Sequence, residues 1–430
     1  MAFLSHSLFS RVNINSVNLI SENYSNQDNN HYPIKLAYYC NSIKYGGIER
    51  VITLLIKHLA NIKIFKQYLI TKNGILDGAY SIPNNTIRID LTEQNLDIFE
   101  IIKKEKIDIL IYNFYEKYEM LKLSEYKGTK TIFYEHSSIF IWIYLKKYNF
   151  KNSFYAVYKR AKYVISLIPF ENDFIFKRWG IKSILMDNLN TYDYDSVIPS
   201  DLKGNNIIMI GRAKDDLKRY DLGIKSMESI VKEVPNCVMN IISLPDPKLE
   251  NLIKTLELDN NIKFIGFLKD PSTFYRNSSL HIMPSLTESY AMTLAEAKIF
   301  GIPSIICGLD YLTLAKGGTV ILYDDEPIAI AKEAIKILKN NTYRQILGKE
   351  ARESMKIRKN KFIVKKWINL LLSVYNGKAY YNKLSKNTEK LPKEEFDIIF
   401  KNQLKLLKKR RPIFRGSNII KLKSLLLHGF

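Results

Sequence analysis

The sequence has few cysteines, three in 430 residues. Cys40, Cys237 and Cys307 lie far apart, each within an apolar run, and no two of them have metal-ligand spacing. So few thiols argue against a disulfide-stapled secreted domain and against a zinc site. We therefore expect reduced cysteines in a cytoplasmic setting.

Hydrophobic runs long enough for a membrane are also missing. The longest candidate, residues 139–145, is far shorter than the roughly 20 apolar residues that cross a bilayer. The first 20 residues contain no basic segment followed by an uninterrupted apolar one, so a signal peptide is not expected. The predicted location is the cytoplasm, with peripheral attachment to the inner face of the cytoplasmic membrane as a further option.

Acidic residues are scarce relative to basic ones: 43 Asp and Glu against 65 Lys and Arg, a net charge of +22. Such an excess is typical of proteins that meet a polyanion, such as nucleic acid, an acidic membrane or a phosphorylated substrate. No zinc-knuckle, RRM or helix-turn-helix pattern is present. We therefore expect no nucleic-acid partner. A basic nucleic-acid-binding protein is the least favoured of the possible functions.

The positive charge is concentrated in residues 378–430, which hold 14 Lys and Arg against four Asp and Glu. Apolar residues recur there at helical spacing, with basic residues, including Arg410, on or near the flanks. The apolar positions are Phe396, Ile399, Phe400, Leu404 and Leu407. Two interpretations stay open: a helix on an anionic membrane surface, or a helix packed on the preceding domain.

Most of the remaining chain alternates between apolar runs and segments of helical periodicity. Continuous apolar runs predict parallel strands covered on both faces. In the first half these runs are 34–40, 107–114, 131–136, 161–168 and 184–188. In the second half they are 207–212, 238–243, 262–267, 280–284, 303–307 and 319–323. The fold class is therefore α/β, with two Rossmann-like doubly wound domains.

Composition changes give the predicted boundaries. Residues 1–33 form an N-terminal arm, 34–200 the first domain, 201–361 the second domain, 362–377 a further helix, and 378–430 the basic tail. Paired domains of this kind usually bind ligand in the cleft between their strand ends.

Candidate functional residues follow predicted strands of both domains. Glu288 lies in the loop after 280–284 and Glu296 in the next helix, whose N-terminus offers free N–H groups to a phosphate. Arg212 and Lys218 lie six residues apart after the strand that opens the second domain, where their charges could neutralise a diphosphate. In the first domain, Gly46 and Gly47 precede a helix, and His136 ends a strand.

Together these motifs resemble the retaining glycosyltransferases of family 4, which have the GT-B fold. The resemblance rests on the GG-x-E-R loop at Gly46, a strand-end His136, G-R-x5-K from Gly211, F-x-G from Phe264, and P-S-x-x-E-S followed by E-x7-E-A and G-x-P from Pro284. It covers about residues 34–375 and implies that the helix over 362–377, with Trp367, crosses back to the first domain. The common E-G-F-G string is replaced by Glu288-Ser289-Tyr290-Ala291, a difference that concerns the sugar pocket.

The resemblance implies a role for each matching residue. Arg212 and Lys218 would bind the donor diphosphate, Glu296 the donor ribose, and Glu288 the transferred sugar. His136 would contact the reacting region, and Gly46 and Gly47 the diphosphate or acceptor. The donor would further meet Ser289, Tyr290, Ala291, Met292, Thr293 and Leu294.

The implied reaction transfers a sugar, a hexose from a UDP-sugar in the favoured case, to a saccharide or lipid-linked acceptor in surface polysaccharide synthesis. No D-x-D element stands out in a plausible metal-binding loop, so we expect no cofactor and no required metal. A nucleotide-sugar epimerase of GT-B type is the nearest alternative.

Overall fold

The computed structural model describes residues 33–43, 46–74, 80–114, 117–140, 150–377 and 391–410, without the side chains of 94, 117, 150–154, 407 and 408. Most of the predicted arm (1–32) and of the tail (378–390 and 411–430) lies outside these ranges. The described chain forms two compact units. Unit 1 contains 33–136, 150–191 and 359–377 with the gaps above, and unit 2 contains 137–140, 192–358 and 391–410.

Unit 1 is built on a parallel sheet whose described strands number seven, in the order β3-β2-β1-β4-β5-β6-β7. Tyrosine, isoleucine and leucine side chains of the central strands are fully buried, as expected for strands covered by helices on both faces. The strands are β1 (Ile34–Cys40), β2 (Phe65–Thr71), β3 (Ile87–Asp90), β4 (Ile109–Tyr112), β5 (Lys130–Tyr134), β6 (Tyr163–Ser166) and β7 (Ile184–Leu185).

Helices of unit 1 connect these strands, and the last one returns from the far end of the chain. Trp367 of that returning helix is buried against Tyr134, with ring centroids 5.3 Å apart. The helices are α1 (Gly47–Leu59), α2 (Leu91–Gln94), α3 (Ile98–Lys104), α4 (Lys117–Glu125), α5 (Phe150–Arg160), α6 (Pro169–Trp179) and α13 (Asn360–Tyr375); α7 to α12 belong to unit 2.

Unit 2 repeats the plan with a parallel sheet of six described strands, ordered β10-β9-β8-β11-β12-β13. Its strands are β8 (Asn206–Ile210), β9 (Val238–Ile242), β10 (Ile262–Phe264), β11 (Leu280–Met283), β12 (Ser304–Cys307) and β13 (Thr319–Leu322). Its helices are α7 (Tyr220–Glu233), α8 (Pro247–Thr255), α9 (Ser272–Arg276), α10 (Met292–Ile299), α11 (Pro327–Lys339), α12 (Asn341–Ser354) and α14 (Lys393–Lys409). The predicted α/β class, with two Rossmann-like doubly wound domains, is confirmed.

The unit boundaries differ from the predicted limits of 200 and 361. Residues 192–200 pack on unit 2, where the Ser200 amide donates to the Phe300 carbonyl at 2.8 Å. Residues 359–361 belong to unit 1, where Asn360 exchanges hydrogen bonds with the backbone of Asn190. Residues 137–140 belong to unit 2, because Phe140 lies against Tyr311 at a centroid distance of 4.5 Å.

The helix predicted in the basic tail is α14, and it packs on unit 2. Its buried residues are Phe396, Ile399, Gln403 and Leu406, followed by Arg410 just beyond the helix end. The prediction that Arg410 lies on or near the flank of the apolar face is therefore wrong, because its side chain is buried. For the described part of the tail, packing on the protein is the arrangement found.

Two further expectations concern the thiols and the membrane. Cys40, Cys237 and Cys307 are all free and buried. Among the described residues, no helix has the length and apolar character needed to cross a membrane.

Candidate functional site

The candidate site lies in unit 2, at the carboxyl ends of two neighbouring strands. β8 and β11 pair in parallel, with Leu280 opposite Ile207. The chain runs outward from β8 to β9 and β10 on one side, and outward from β11 to β12 and β13 on the other. This is the point where the strand order reverses, and open α/β sheets form a ligand crevice there.

The turn after β8 carries Lys218 and Arg212. Gly211 has a φ of 149°, and a short 3-10 turn over Asp216–Lys218 follows, capped by Asp215, which accepts from the Leu217 amide at 3.1 Å. The Arg212 side chain is 72% exposed and pairs with Asp215 at 3.2 Å. An exposed ion pair is weakly held, so this guanidinium is available to an anion.

The loop after β11 brings Glu288 to Lys218. The Leu286 amide donates to the Leu217 carbonyl at 2.7 Å, which joins the two loops through their backbones. Lys218 Nζ then donates to Glu288 Oε1 at 2.6 Å. Both side chains are mostly but not fully buried. Two residues that the sequence predicted separately, 70 positions apart, therefore form one charged pair.

Tyr311 holds the backbone of this loop and was missed at the sequence level. Its hydroxyl oxygen accepts from the Glu288 amide at 3.2 Å and its hydrogen points to the Glu288 carbonyl at 3.3 Å. The hydroxyl also lies 3.2 Å from Thr287 Oγ1. Tyr311 follows β12, so the same strand-end rule that selected Glu288 could have found it.

Helix α10 begins directly after Glu288, Ser289 and Tyr290. Ala291 occupies the N-cap position with φ 63°, no side chain caps the helix, and its first turn contains no acidic residue. Met292 and Thr293 are partly exposed, whereas Tyr290 and Leu294 are buried. The helix terminus therefore presents a positive dipole end that suits a phosphate.

Glu296 lies within α10 but is enclosed by protein. Its carboxylate accepts a hydrogen bond from the Tyr275 hydroxyl at 2.6 Å, and the residue has no exposed surface. The ribose role of Glu296 stays a prediction, and it requires a ligand to reach a carboxylate that protein now covers.

The first-domain candidates lie in unit 1, also at strand ends. His136 follows β5, and its Nε2 lies 2.7 Å from Oδ1 of Asn113, which follows β4. Desolvation lowers the pKa of His136 to about 3. The residue is half-buried, and with this lowered pKa the imidazole is neutral at physiological pH. It can therefore donate or accept a hydrogen bond but supplies no charge.

Gly46 and Gly47 open helix α1. Gly46 is the N-cap residue in extended conformation, and its carbonyl accepts from the Arg50 amide at 3.2 Å and from the Tyr80 hydroxyl at 3.4 Å. Glu49 occupies the first turn of the helix. The two glycines thus stand at a helix N-terminus as predicted, while their contact with a ligand stays a prediction.

The described part of the chain contains no group of three or more His, Cys, Asp or Glu side chains placed to hold a metal ion. The expectation that no metal is required stays a prediction.

Comparison with known proteins finds similarity to glycosyltransferases. Residues 193–354, most of unit 2, match the family described as glycosyl transferases group 1. The chain is 29% identical to Protein CapJ of Staphylococcus aureus over 228 residues, which is 51% of this chain and 54% of CapJ. The chain thus spans about half the length of that relative.

Two more matches extend the comparison. Over 57 residues the chain is 37% identical to the O-antigen biosynthesis glycosyltransferase WclY of Escherichia coli, covering 13% of this chain and 16% of WclY. The structure of Anabaena HepE in complex with UDP and glucose superposes with a TM-score of 0.63 at 14% identity, covering 79% of this chain and 99% of that one. The resemblance to GT-B glycosyltransferases predicted from the sequence is confirmed.

Proposed function

We propose that the chain is a retaining glycosyltransferase that moves a sugar from a nucleotide-diphosphate donor, UDP-hexose in the favoured case, to an acceptor hydroxyl. The observation that carries the proposal is the pair of Lys218 and Glu288 at the crevice of unit 2, beside the uncapped N-terminus of α10. The bound UDP and glucose of HepE support the same class of donor.

The pair suggests how donor binding prepares the site. Without a donor, Lys218 neutralises Glu288 at 2.6 Å. A diphosphate entering the crevice competes for the ammonium group, because phosphate carries more negative charge than one carboxylate. Glu288 is then released to accept hydrogen bonds from sugar hydroxyls and to stabilise positive charge at the reacting carbon.

The leaving nucleotide gains negative charge as the bond to the sugar breaks. Lys218, the exposed guanidinium of Arg212 and the amide groups at Met292 and Thr293 are the donors positioned to stabilise it. Preorganised donors of this kind supply a large part of catalysis in acyl and phosphoryl transfer, and the same electrostatics apply to a departing diphosphate. Retention at the anomeric carbon is the stereochemistry that the family resemblance implies.

The proposed acceptor is a saccharide or lipid-linked saccharide in surface polysaccharide synthesis. WclY, named for O-antigen biosynthesis, supports this setting. A lipid-linked acceptor would require contact with the membrane surface, and the basic tail residues are the proposed means of attachment.

A transfer assay with site variants tests the proposal. Full-length protein is incubated with UDP-, GDP-, ADP- and CMP-sugars and a mixture of saccharide and lipid-linked acceptors, and nucleotide release and product are measured. We expect Lys218→Ala and Glu288→Gln each to lower kcat about a hundredfold or more. Lys225→Ala removes a lysine from a surface pair with Asp221 on α7 and serves as the matched control.

Two outcomes would contradict the proposal. Activity at the wild-type level in both site variants would show that this crevice is not the catalytic site. Conversion of a UDP-sugar to its epimer with no acceptor present would indicate an epimerase of the same architecture.

A further inference from the structure

The C-terminal helix α14 is built into the surface that surrounds the candidate site. Gln403 Nε2 donates to the Gly308 carbonyl and to Asp310 Oδ1, both at 2.7 Å, and Asn402 donates to Asp310 Oδ2 at 2.9 Å. Leu406 contacts Gly308 so closely that a Cβ added there would lie 2.5 Å from Leu406 Cδ1. The helix therefore recognises the backbone directly after β12.

Arg410, just past this helix, places its guanidinium in the interior of unit 2. The side chain is 1% exposed. It forms a bidentate ion pair with Asp325, from Nε to Oδ2 at 2.5 Å and from Nη2 to Oδ1 at 3.0 Å. It also donates to the Leu286 carbonyl at 3.3 Å and to the Cys307 carbonyl at 3.4 Å. One side chain thus contacts the loop after β11, the last residue of β12 and the segment after β13.

Both loops that carry the charged pair connect to Arg410. On one side, Leu286 lies two residues before Glu288, and its amide also binds the Leu217 carbonyl. On the other side, Asp325 forms an ion pair with Arg219, the residue after Lys218, at 3.1 Å. The helix contact therefore reaches the backbone of the Glu288 loop and the residue adjoining Lys218.

Arg219 occupies an unfavourable backbone conformation in this turn. Its φ of 52° and ψ of 46° lie in the left-handed region, which is disfavoured for a residue with a side chain. The contacts of its guanidinium with Asp325 offset this cost. Burial alone would raise the pKa of Asp325, but hydrogen bonds from Arg410 hold it below the usual value.

We propose that Arg410 is a positioning residue for the donor site, fixing the relative position of the loops that carry Lys218 and Glu288 through Leu286 and Asp325. The consequence for catalysis rests on the proposed function, whereas the positioning of the loops does not. Helix α14 and Arg410 would on this account support the candidate site of their own unit.

Hydrogen–deuterium exchange of the full-length chain tests the positioning directly. In Arg410→Gln we expect about tenfold faster exchange in peptides covering 211–219 and 285–294, because the buried bidentate ion pair with Asp325 is lost. Exchange in strand β9 should stay unchanged. Arg410→Lys retains the charge without the fork and should give an intermediate effect. Lys409→Ala removes the neighbouring exposed pair with Asp324 and should exchange like wild type.

Activity provides the second measurement. At a temperature where the variants are folded, Arg410→Gln should lower kcat/KM for the donor about tenfold. Arg410→Lys should recover part of this activity, and Lys409→Ala should keep the wild-type kcat/KM.

Unchanged hydrogen exchange in both loop peptides would overturn the proposal. Equally accelerated exchange in β9 would also overturn it, because it would indicate general destabilisation. If Arg410→Gln does not fold, hydrogen exchange of Arg410→Lys in the same peptides tests the proposal by the same criteria. A wild-type chain without transferase activity would contradict the proposed function, while exchange would still test Arg410.

Discussion

At the scale of single residues, the candidate site combines neutral hydrogen bonds with a charged pair. Glu288 is oriented at its side chain by Lys218 and at its backbone by the Tyr311 hydroxyl, which bonds both the amide and the carbonyl. The ring of Tyr311 is buried against Phe140, so the hydroxyl has little freedom to move. A donor would therefore meet a carboxylate that is already placed.

Tyr311→Phe removes that hydroxyl and keeps the ring. We expect kcat/KM for the donor to fall about fivefold to twentyfold, because Glu288 loses its backbone anchor. The free energy of unfolding should change by no more than about 1.5 kcal/mol, the usual contribution of one hydrogen bond. Steady-state kinetics and urea unfolding measure the two quantities.

Tyr192→Phe is the matched control, since its hydroxyl bonds the Asp270 carboxylate at 2.8 Å in an exposed position of the same unit. Equal kinetics for Tyr311→Phe, Tyr192→Phe and wild type would refute the role given to Tyr311.

At the scale of elements, the sequence predicts the site-bearing strands well, because both faces of these strands are covered and their apolar runs are continuous. β8, β11 and the start of α10 lie within a residue or two of their predicted bounds. Strands β2 and β3 were not predicted. β2 contains Lys66 and the buried Gln67, whose amide group bonds Tyr38 and Ile56, and β3 is a short edge strand with two exposed residues.

The residues around the site were harder to predict, for a physical reason. Strand ends can be located from local periodicity, so Lys218 and Glu288 were found. Arg410 and Asp325 meet across 85 positions, and nothing in the local pattern of α14 distinguishes a buried arginine from a solvated one. Periodicity predicted the helix, but Gln403 on its buried face and Arg410 just beyond its end pair with groups elsewhere in unit 2.

The close approach of α14 to Gly308 makes a prediction about the docked helix. Gly308 has φ 63°, and an added Cβ would lie 2.5 Å from Leu406 and 3.2 Å from Arg410. We expect Gly308→Ala to lower the free energy of unfolding by about 1–3 kcal/mol more than the backbone strain alone costs. Gly180→Ala, at φ 66° with open space around the added Cβ, measures that strain. Equal losses in the two variants would show that α14 does not pack as described.

At the scale of the whole molecule, the basic residues behind the net charge of +22 have more than one role. Lys218, Arg219 and Arg410 are paired inside unit 2 around the candidate site. Residues 411–430 add four basic residues and no acidic one, with the apolar run 419–427. This segment, outside the described residues, is the remaining candidate for contact with anionic lipid.

Co-sedimentation with vesicles separates these two uses of the tail. A chain ending at Arg410 keeps α14 and its contacts, so it should be folded and bind nucleotide like the full-length chain. We expect it to bind vesicles rich in anionic lipid more weakly than the full-length chain, at about 1 kcal/mol for each basic residue near the surface. Equal sedimentation of the two chains would refute membrane attachment through 411–430.

The central claim is that the crevice of unit 2 binds a nucleoside diphosphate through Lys218, and calorimetric titration tests it most directly. UDP, GDP and ADP are titrated into wild type, Lys218→Ala and the surface control Lys225→Ala. We predict that one nucleotide, UDP in the favoured case, binds wild type and Lys225→Ala with equal Kd. Lys218→Ala should weaken its binding at least about tenfold, since it removes a charge-assisted contact. Absence of nucleotide binding to wild type, or an unchanged Kd in Lys218→Ala, would contradict the account.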